Sequence, residues 1–378
     1  MAHHDRDLPH PQPHEMNAVP FLDLARETAA VRAGLDAATA RVLDRGWFLL
    51  GPELDAFETG LASYAEGGHA IGVASGLAAL ELILEASDIG SGDEVIVPAN
   101  TYIATRISVT RTGATPVPVE PDPATRNIDP SRVGEAITEK TRAIMAVHLY
   151  GEPADMVGLR EIADAHQLRL FTDAAQSAGA EIDGSRGATL GDAAAFSFYP
   201  TKNLGALADA GAVVTDDTEL AERVRLLRNY GMRSREDHPE IGTNARMDEL
   251  TAAFLLEKLD HLDGWNARRA EIANRYLEAF ADLDLGLPAG GGCWHLFVIQ
   301  SEHRDRLREH LESEGVGTAI HYPVPPHLSG AYTEERQRLG SLPITEHLAA
   351  TALSLPISAF HTDDEVARVI DAVRSFEG

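Results

Sequence analysis

Apolar runs alternate with amphipathic stretches along most of the chain. One run, IGVASG, leads into a stretch in which Leu77, Leu80 and Leu84 have the spacing of one helical face. Six further runs are mostly continuous in apolar character, as is typical of strands buried on both faces of a sheet, and they are EVIVPA, PVPVE, RAIMAVH, LRLFTD, AAAFSF and GAVVT. Alternation of this kind predicts an α/β domain with a mostly parallel sheet.

Helical patterns precede and follow this sheet region. The spacing predicts one helix over 24–45 and a second from Leu54 to Tyr64, separated by the segment GWFLLGPE. Two long helical segments follow the last of these strands, with a link near 263–264, and a new strand and helix series then begins. We therefore predict a large α/β domain at 19–263 and a smaller C-terminal α/β domain at 264–378.

The N-terminal segment has a different composition. The first 16 residues hold four histidines and three prolines without an apolar period, which predicts a disordered leader over 1–18. The spacing of these histidines matches no defined ligand set, so no metal site is predicted.

The charge balance excludes several classes of partner. The 378 residues carry 32 Lys and Arg against 59 Asp and Glu, which gives a formal net charge of −27. Nucleic acids and anionic membrane surfaces attract clustered positive charge, so neither is predicted as a partner. The chain has a single cysteine, Cys293, and no apolar run of about 18 residues, which predicts a cytoplasmic protein without a membrane span or an internal disulfide.

Polar residues that follow buried strands are candidates for a site, because ligands of open α/β sheets gather beyond the carboxyl ends of the strands. Ser75 and Gly76 begin a predicted helix, where free N–H groups suit a phosphate, although Ser75 equally fits an ordinary helix cap. Asp173 ends a predicted strand and fits either a turn cap or the partner of a cationic heterocycle, with Gln176 three residues further on.

Lys202 follows the strand AAAFSF in the phrase YPTKNLG. Desolvation at the mouth of a sheet would lower the pKa of this lysine and make it an amine nucleophile; a solvated surface lysine is the alternative. A phosphate cradle, a carboxylate and an amine, in this chain order, are the fixed points of pyridoxal phosphate binding. The sequence therefore predicts this cofactor, with Tyr102 either against its ring or in the core.

Seven segments in order resemble the DegT/DnrJ/EryC1/StrS family of pyridoxal-phosphate sugar aminotransferases, namely VASGLAALELIL, GDEVIVPANTYIAT, TDAAQ, FSFYPTKNLGA, RLLRNYG, GTNARMDELTAAFLL and IHYPVPPHL. The resemblance runs from about Val19 to the C-terminus. It implies fold type I of the pyridoxal-phosphate transferases and a homodimer with active sites at the subunit interface. Within the family, PVPVEPDP, VHLYG and HYPVPPHL are most similar to enzymes that make 3-amino sugars on thymidine-diphosphate carriers.

The resemblance also implies roles for residues of this sequence. Lys202 would be the Schiff-base lysine and Asp173 the partner of the pyridinium nitrogen, with Tyr102 stacked on the ring and Gln176 at its oxygen. The residues implied to hold the phosphate are Ser75, Gly76, Leu77 and Ser197, joined by Asn244 from the second subunit. The residues implied to receive the sugar nucleotide are Trp47, Phe48, Tyr199, His321 and Tyr322.

Two positions bear on activity. Leu77 stands where the family commonly has a threonine, which removes one hydroxyl from the phosphate cup and predicts weaker binding of the cofactor rather than its loss. Lys202 is present where the dehydratase branch of the family has a histidine, which favours amino transfer.

The predicted function is amino transfer in two stages with ping-pong kinetics. An amino acid, with L-glutamate as the favoured donor, would supply the amino group to a nucleotide-linked keto sugar, with a dTDP-3-keto-6-deoxyhexose as the favoured acceptor. Three alternatives stay open: a keto-cyclitol acceptor, a non-catalytic regulatory protein that binds pyridoxal phosphate, and a sugar-nucleotide-binding protein with a solvated Lys202.

Overall fold

The computed structural model of this protein describes residues 18–182, 184–186, 190–332 and 340–377. The predicted disordered leader lies outside the described residues, except for its last position. The helices within these ranges are α1 (Leu24–Ala30), α2 (Arg32–Arg45), α3 (Pro52–Tyr64), α4 (Gly76–Ala86), α5 (Ile103–Arg111), α6 (Pro130–Ala136), α7 (Met156–His166), α8 (Thr218–Leu227), α9 (Glu249–Leu259), α10 (Leu262–Phe280), α11 (Arg304–Ser313), α12 (Pro343–Thr351) and α13 (Asp363–Arg374).

The strands form one large and one small sheet. Those of the large sheet are β1 (His69–Val73), β2 (Glu94–Pro98), β3 (Thr115–Val119), β4 (Thr141–Val147), β5 (Arg169–Asp173), β6 (Ala193–Ser197) and β7 (Gly211–Thr215). Their order in space is β1-β7-β6-β5-β4-β2-β3, and β7 runs antiparallel to both of its neighbours while all other pairs are parallel. The predicted, mostly parallel sheet is therefore confirmed.

Both faces of the large sheet are covered, which is why its strands are apolar at successive positions. On β7, Val213 packs into the core on one face and Val214 into the core on the other. On β4, Met145 and Ile144 divide in the same way between two clusters.

The small sheet pairs β8 (Phe297–Gln300) with β9 (Ala352–Leu355) in antiparallel register. Residues of α10, α11 and α13 pack with it into a separate apolar cluster, in which Tyr276 and Phe297 are fully buried. Val19 also joins this cluster and bridges Val316, so the start of the described chain packs on its C-terminal part.

Several predicted elements differ in detail. The helix predicted over 24–45 is two helices, because the backbone leaves helical geometry at Val31 (φ −112°, ψ 13°). The break between α9 and α10 lies at 260–261, and α10 continues through 263–264. The division into two domains at 263–264 stays a prediction. Cys293 is buried and precedes β8. Among the described helices, none has both the length and the apolar character needed to cross a membrane.

Candidate active site

Asp173 lies buried at the carboxyl end of β5. Its Oδ2 accepts a hydrogen bond from the Thr105 hydroxyl at 2.7 Å, and its Oδ1 accepts one from the Ala175 N–H at 3.1 Å. Burial raises the pKa of this carboxyl group, whereas the two hydrogen bonds and the charge of Lys202 act in the opposite direction. Asp173 is thus a carboxylate set among donors, as a partner of a cation requires.

Lys202 lies in the turn that follows β6, the parallel neighbour of β5. Its N–H donates to the Tyr199 carbonyl at 2.8 Å, which closes the turn, and its side chain is half-buried. Burial lowers the pKa of the Lys202 amine to about 8, although the charge of Asp173 raises it. A substantial neutral fraction near physiological pH follows, and a neutral amine can act as nucleophile and base.

The chain has three lysines, and their surroundings differ. Lys140 is exposed, and Lys258 is buried and donates to Glu27 Oε1 at 2.7 Å and to the Gly205 carbonyl at 2.6 Å. Because Gly205 ends the loop that carries Lys202, the buried Lys258–Glu27 pair holds this loop against α9. Lys202 is therefore the candidate amine of the site, and Lys258 binds the loop that carries it.

Ser75 and Gly76 lie where the chain passes from β1 into α4. Ser75 caps the helix, since its hydroxyl accepts from the Ala78 N–H at 3.1 Å. A Cβ atom on Gly76 would lie 2.6 Å from Ser197 Cβ, and one on Gly211 would overlap the backbone of Ser75. The first N–H groups of a helix have no acceptor within it, so those of Gly76 and Leu77 are suited to an anion.

The side chain of Gln176 forms hydrogen bonds with two tyrosines. Its side-chain Nε2 donates to the Tyr322 hydroxyl at 2.8 Å, and its Oε1 accepts from the Tyr150 N–H at 2.5 Å. The ring of Tyr322 lies 5.1 Å from that of Tyr102, at an angle of 41°. Tyr102 is 53% exposed, so one face of this ring pair remains open to solvent.

His321 directly precedes Tyr322, and the two rings are in edge-on contact with centroids 5.4 Å apart. Its Nδ1 is 2.8 Å from Ser354 Oγ, its carbonyl accepts from the Tyr150 hydroxyl at 2.5 Å, and its ring stacks on Phe21. Burial lowers the pKa of His321 to about 4, and the charge of Lys202 acts in the same direction. This imidazole is therefore neutral at physiological pH.

Three predicted site residues, Trp47, Phe48 and Asn244, lie on exposed segments of the single chain. The loop that carries Trp47 and Phe48 is held to the start of α9, where the Glu249 N–H donates to the Phe48 carbonyl at 3.0 Å. Trp47 and Phe48 are 55% and 50% exposed. Asn244 is also exposed and donates to the Tyr230 hydroxyl at 2.8 Å, and its neighbour Ala245 pairs with Ala74.

A family model described as the DegT/DnrJ/EryC1/StrS aminotransferase family matches residues 31–374. This chain belongs to that family. The family and the fold class predicted from the sequence are confirmed, and with them the assignment of the protein as an aminotransferase.

Relatives of this aminotransferase span almost its whole length. A Streptomyces venezuelae protein named dTDP-3-amino-3,4,6-trideoxy-alpha-D-glucose transaminase is 53% identical over 96% of this chain and 97% of its own length. A Saccharopolyspora erythraea protein named erythromycin biosynthesis sensory transduction protein EryC1 is 51% identical over 94% of this chain and 99% of its own.

Solved structures agree with the fold of this aminotransferase. The S. venezuelae DesV crystal structure, described as a complex with a ketimine intermediate, has a TM-score of 0.93 at 53% identity, covering 94% of this chain and 98% of that one. The Bacillus subtilis NtdA structure, described as having bound cofactor PMP, has a TM-score of 0.90 at 33% identity, covering 96% and 86% respectively.

Four residues that contact the candidate site or its supporting segments were not identified from the sequence: Thr105, Tyr150, Glu249 and Lys258. Thr105 is 68 positions from Asp173 in the chain, and Lys258 is 231 positions from Glu27. For Glu249 the sequence offers one signal, because Asp and Glu at 248–249 precede a helical run, as is typical of a helix start. This signal does not reveal which distant groups Glu249 contacts.

Proposed function

We propose that this aminotransferase binds pyridoxal 5′-phosphate and moves an amino group from an amino acid, L-glutamate, to a nucleotide-linked keto sugar, a dTDP-3-keto-6-deoxyhexose. The observation that carries the proposal is the pairing of Lys202, whose pKa is lowered to about 8, with the buried carboxylate of Asp173 at neighbouring strand ends.

The residues present fit the cofactor. The corner at Ser75 and Gly76, which a single Cβ atom would fill, offers N–H groups to a phosphate beside the hydroxyl of Ser197. A carboxylate among donors suits a protonated ring nitrogen, and that is the position of Asp173. The residues proposed to hold the cofactor are Ser75, Gly76, Leu77, Tyr102, Asp173, Gln176, Ser197 and Lys202, with Asn244 from a second subunit.

The chemistry supplied by the bound cofactor is an aldehyde for the amino group and a ring that takes up the electrons of the donor's α-carbon. The Nζ of Lys202, in the fraction that its lowered pKa leaves neutral, would take the proton from that α-carbon and deliver it to the carbon of the cofactor that had carried the aldehyde. The carboxylate of Asp173 keeps the ring nitrogen protonated, because a negative charge at that atom favours its charged form. His321, being neutral, contributes no charge and orients the acceptor by hydrogen bonding alone.

The acceptor is assigned from the name of the S. venezuelae transaminase and from the walls of the cleft. Tyr199, which is 46% exposed, lies next to Pro200 in the Lys202 loop, and His321 is close enough to Lys202 for the charge of the lysine to lower the pKa of the imidazole. Exposed Trp47, Phe48 and Leu49 form an apolar patch on one loop, which supports a homodimer in which this loop completes the partner's site. We place this reaction in the cytoplasm.

The test is the visible spectrum of the protein reconstituted with pyridoxal phosphate, recorded before and after L-glutamate alone. We expect a band that glutamate converts to that of the amino form of the cofactor. In the Lys202→Arg variant, borohydride should fix no cofactor to the chain. Addition of the keto sugar then restores the first band, and initial rates give parallel double-reciprocal lines.

Other outcomes identify the alternatives. If only a keto-cyclitol reverses the effect of glutamate, the acceptor is a keto-cyclitol and not a nucleotide-linked keto sugar. A bound cofactor that exchanges no amino group indicates a regulatory protein, a function suggested by the name of the S. erythraea relative. Absence of the band, with sugar nucleotide still bound, indicates a binding protein with a solvated Lys202.

A further inference from the structure

Two threonine hydroxyls form a chain that ends on Asp173. Thr105 Oγ1 lies 2.7 Å from Asp173 Oδ2, and Thr101 Oγ1 lies 2.7 Å from Thr105 Oγ1. Thr105 is fully buried and Thr101 is 2% exposed, so both hydroxyls act without competition from bulk water. Neither residue belongs to the set predicted from the sequence.

The direction of these hydrogen bonds follows from the chemistry of the groups. An ionised carboxylate can only accept, and each hydroxyl has one proton to donate. The Thr105 proton is therefore directed to Asp173 Oδ2, and Thr105 Oγ1 in turn accepts the proton of Thr101. Hydrogen bonds to an ionised acceptor are the stronger kind, and a chain of donors in one direction strengthens each member.

The position of Thr105 on its helix also favours the ionised form of Asp173. Thr105 lies in the first turn of α5, which begins at Ile103 with Tyr102 as its cap. The N-terminal end of a helix carries partial positive charge, which favours a carboxylate in contact with the first turn. Lys202, from the loop after β6, is the other positive group that faces Asp173, and the phenol of Tyr322 faces it from the C-terminal segment.

We propose that Thr105 is a positioning residue for amino transfer, oriented by Thr101, that keeps the Asp173 carboxylate ionised and in one orientation. The proposal rests on the proposed function, because an ionised Asp173 matters only if it faces a protonated ring nitrogen. The threonine pair replaces the hydration that Asp173 loses on burial, and Thr101 acts on Asp173 only through Thr105.

The experiment compares Thr105→Val with Thr105→Ser, since valine keeps the shape and removes the hydroxyl while serine keeps the hydroxyl. The control is Thr39→Val, which removes a helix hydroxyl whose contact is with the Leu35 carbonyl of its own helix, α2. The first readout is the ¹³C carboxyl titration of Asp173 in the cofactor-free protein, assigned with Asp173→Asn. The others are the Kd for pyridoxal phosphate and the rate of the glutamate half-reaction.

We expect Thr105→Val to move the Asp173 titration to higher pH, to weaken the Kd about tenfold and to slow the half-reaction by at least as much. Thr105→Ser and Thr39→Val should have an Asp173 titration, a Kd for pyridoxal phosphate and a half-reaction rate close to those of the unmodified protein. Thr101→Val shifts all three readouts in the same direction by less, and it serves as the test if Thr105→Val does not fold.

Two outcomes overturn the proposal: an Asp173 titration and half-reaction rate unchanged in Thr105→Val, or a serine variant as impaired as the valine variant. The proposed function fails separately, when the unmodified protein does not respond to glutamate or any other amino donor. The titration of the cofactor-free protein still decides in that case whether the hydroxyl pair keeps Asp173 ionised.

Discussion

The side-chain amide of Gln176 donates to the hydroxyl of Tyr322 at 2.8 Å, across 146 positions of the chain. This bond ties the segment after β5 to the C-terminal segment that carries His321. The other end of the same amide accepts from the Tyr150 N–H, so the orientation of Gln176 is determined by both contacts.

A double-mutant cycle measures this tie. Gln176→Leu and Tyr322→Phe each remove one partner, and we expect a coupling free energy of about 1 kcal/mol between them in denaturant unfolding, because each single change leaves a buried polar group unpaired. Strictly additive effects of the two changes would show that the bond does not contribute to stability.

The lowered pKa of Lys202 predicts the pH dependence of cofactor attachment. The amine is nucleophilic when neutral, so the rate of covalent attachment of pyridoxal phosphate to the cofactor-free protein should rise with pH and level off above about 8. An unperturbed lysine would continue to gain rate up to its ordinary pKa of about 10.4. Stopped-flow absorbance gives the profile.

Lys140→Arg is the matched control for this measurement, since Lys140 is exposed. It should attach cofactor as the unmodified protein does, whereas Lys202→Arg should attach none that borohydride fixes. A midpoint near 10 would contradict the desolvated environment of Lys202.

Gly76→Ala tests the phosphate corner. The added Cβ would lie 2.6 Å from Ser197 Cβ, closer than atoms of a folded protein tolerate, and overpacking of this kind costs about 1–3 kcal/mol. We expect the Kd for pyridoxal phosphate to weaken about tenfold or more, as measured by absorbance titration.

The control for this change is Gly134→Ala in α6, where an added Cβ meets nothing within 4 Å. Alanine has the higher helix propensity, so this variant should be as stable as the unmodified protein or slightly more so. Equal cofactor affinity in the two variants would remove Gly76 from the proposed phosphate site.

Glu249→Gln tests the loop that carries Trp47 and Phe48. The buried Glu249 carboxylate accepts from the N–H groups of Gly51, Glu53 and Leu54. A glutamine has one acceptor oxygen in place of two, so we expect a loss of about 1–3 kcal/mol in the free energy of unfolding.

Kinetics separate a role in the site from a purely structural one. If the loop receives the sugar nucleotide, Glu249→Gln raises KM for the acceptor and leaves the glutamate half-reaction unchanged. Glu278→Gln, at an exposed position of α10, is the control. A KM for the acceptor equal to that of the control would contradict a role of this loop in substrate binding.

Lys258→Met tests the support behind the Lys202 loop. The substitution leaves Glu27 as a buried, unpaired carboxylate, and the loss of one partner of a buried ion pair typically costs about 3–5 kcal/mol. Denaturant unfolding should show this loss, and the double variant Lys258→Met/Glu27→Leu should recover most of it. A double variant no more stable than Lys258→Met would show that the Glu27 charge is not the cause.

The local patterns of this sequence were sufficient to predict the strands of the large sheet and to single out Asp173 and Lys202 as site candidates. Continuous apolar runs predicted the strands of the large sheet, since strands covered on both faces have no solvent side. Asp173 and Lys202 could be placed together because parallel neighbours end at the same edge of a sheet. The antiparallel direction of β7 could not be read from its pattern, which is equally apolar in either direction.

The tertiary structure alone decided which groups surround these two residues. Thr105 reaches Asp173, Gln176 reaches Tyr322 and Lys258 reaches Glu27 through contacts between segments distant in the chain. No periodicity encodes such pairs, because they depend on how helices pack onto the sheet and on which buried polar groups must then satisfy one another. The sequence determined the fold and the two candidate reacting groups, whereas packing determined the surroundings that set their ionisation and orientation.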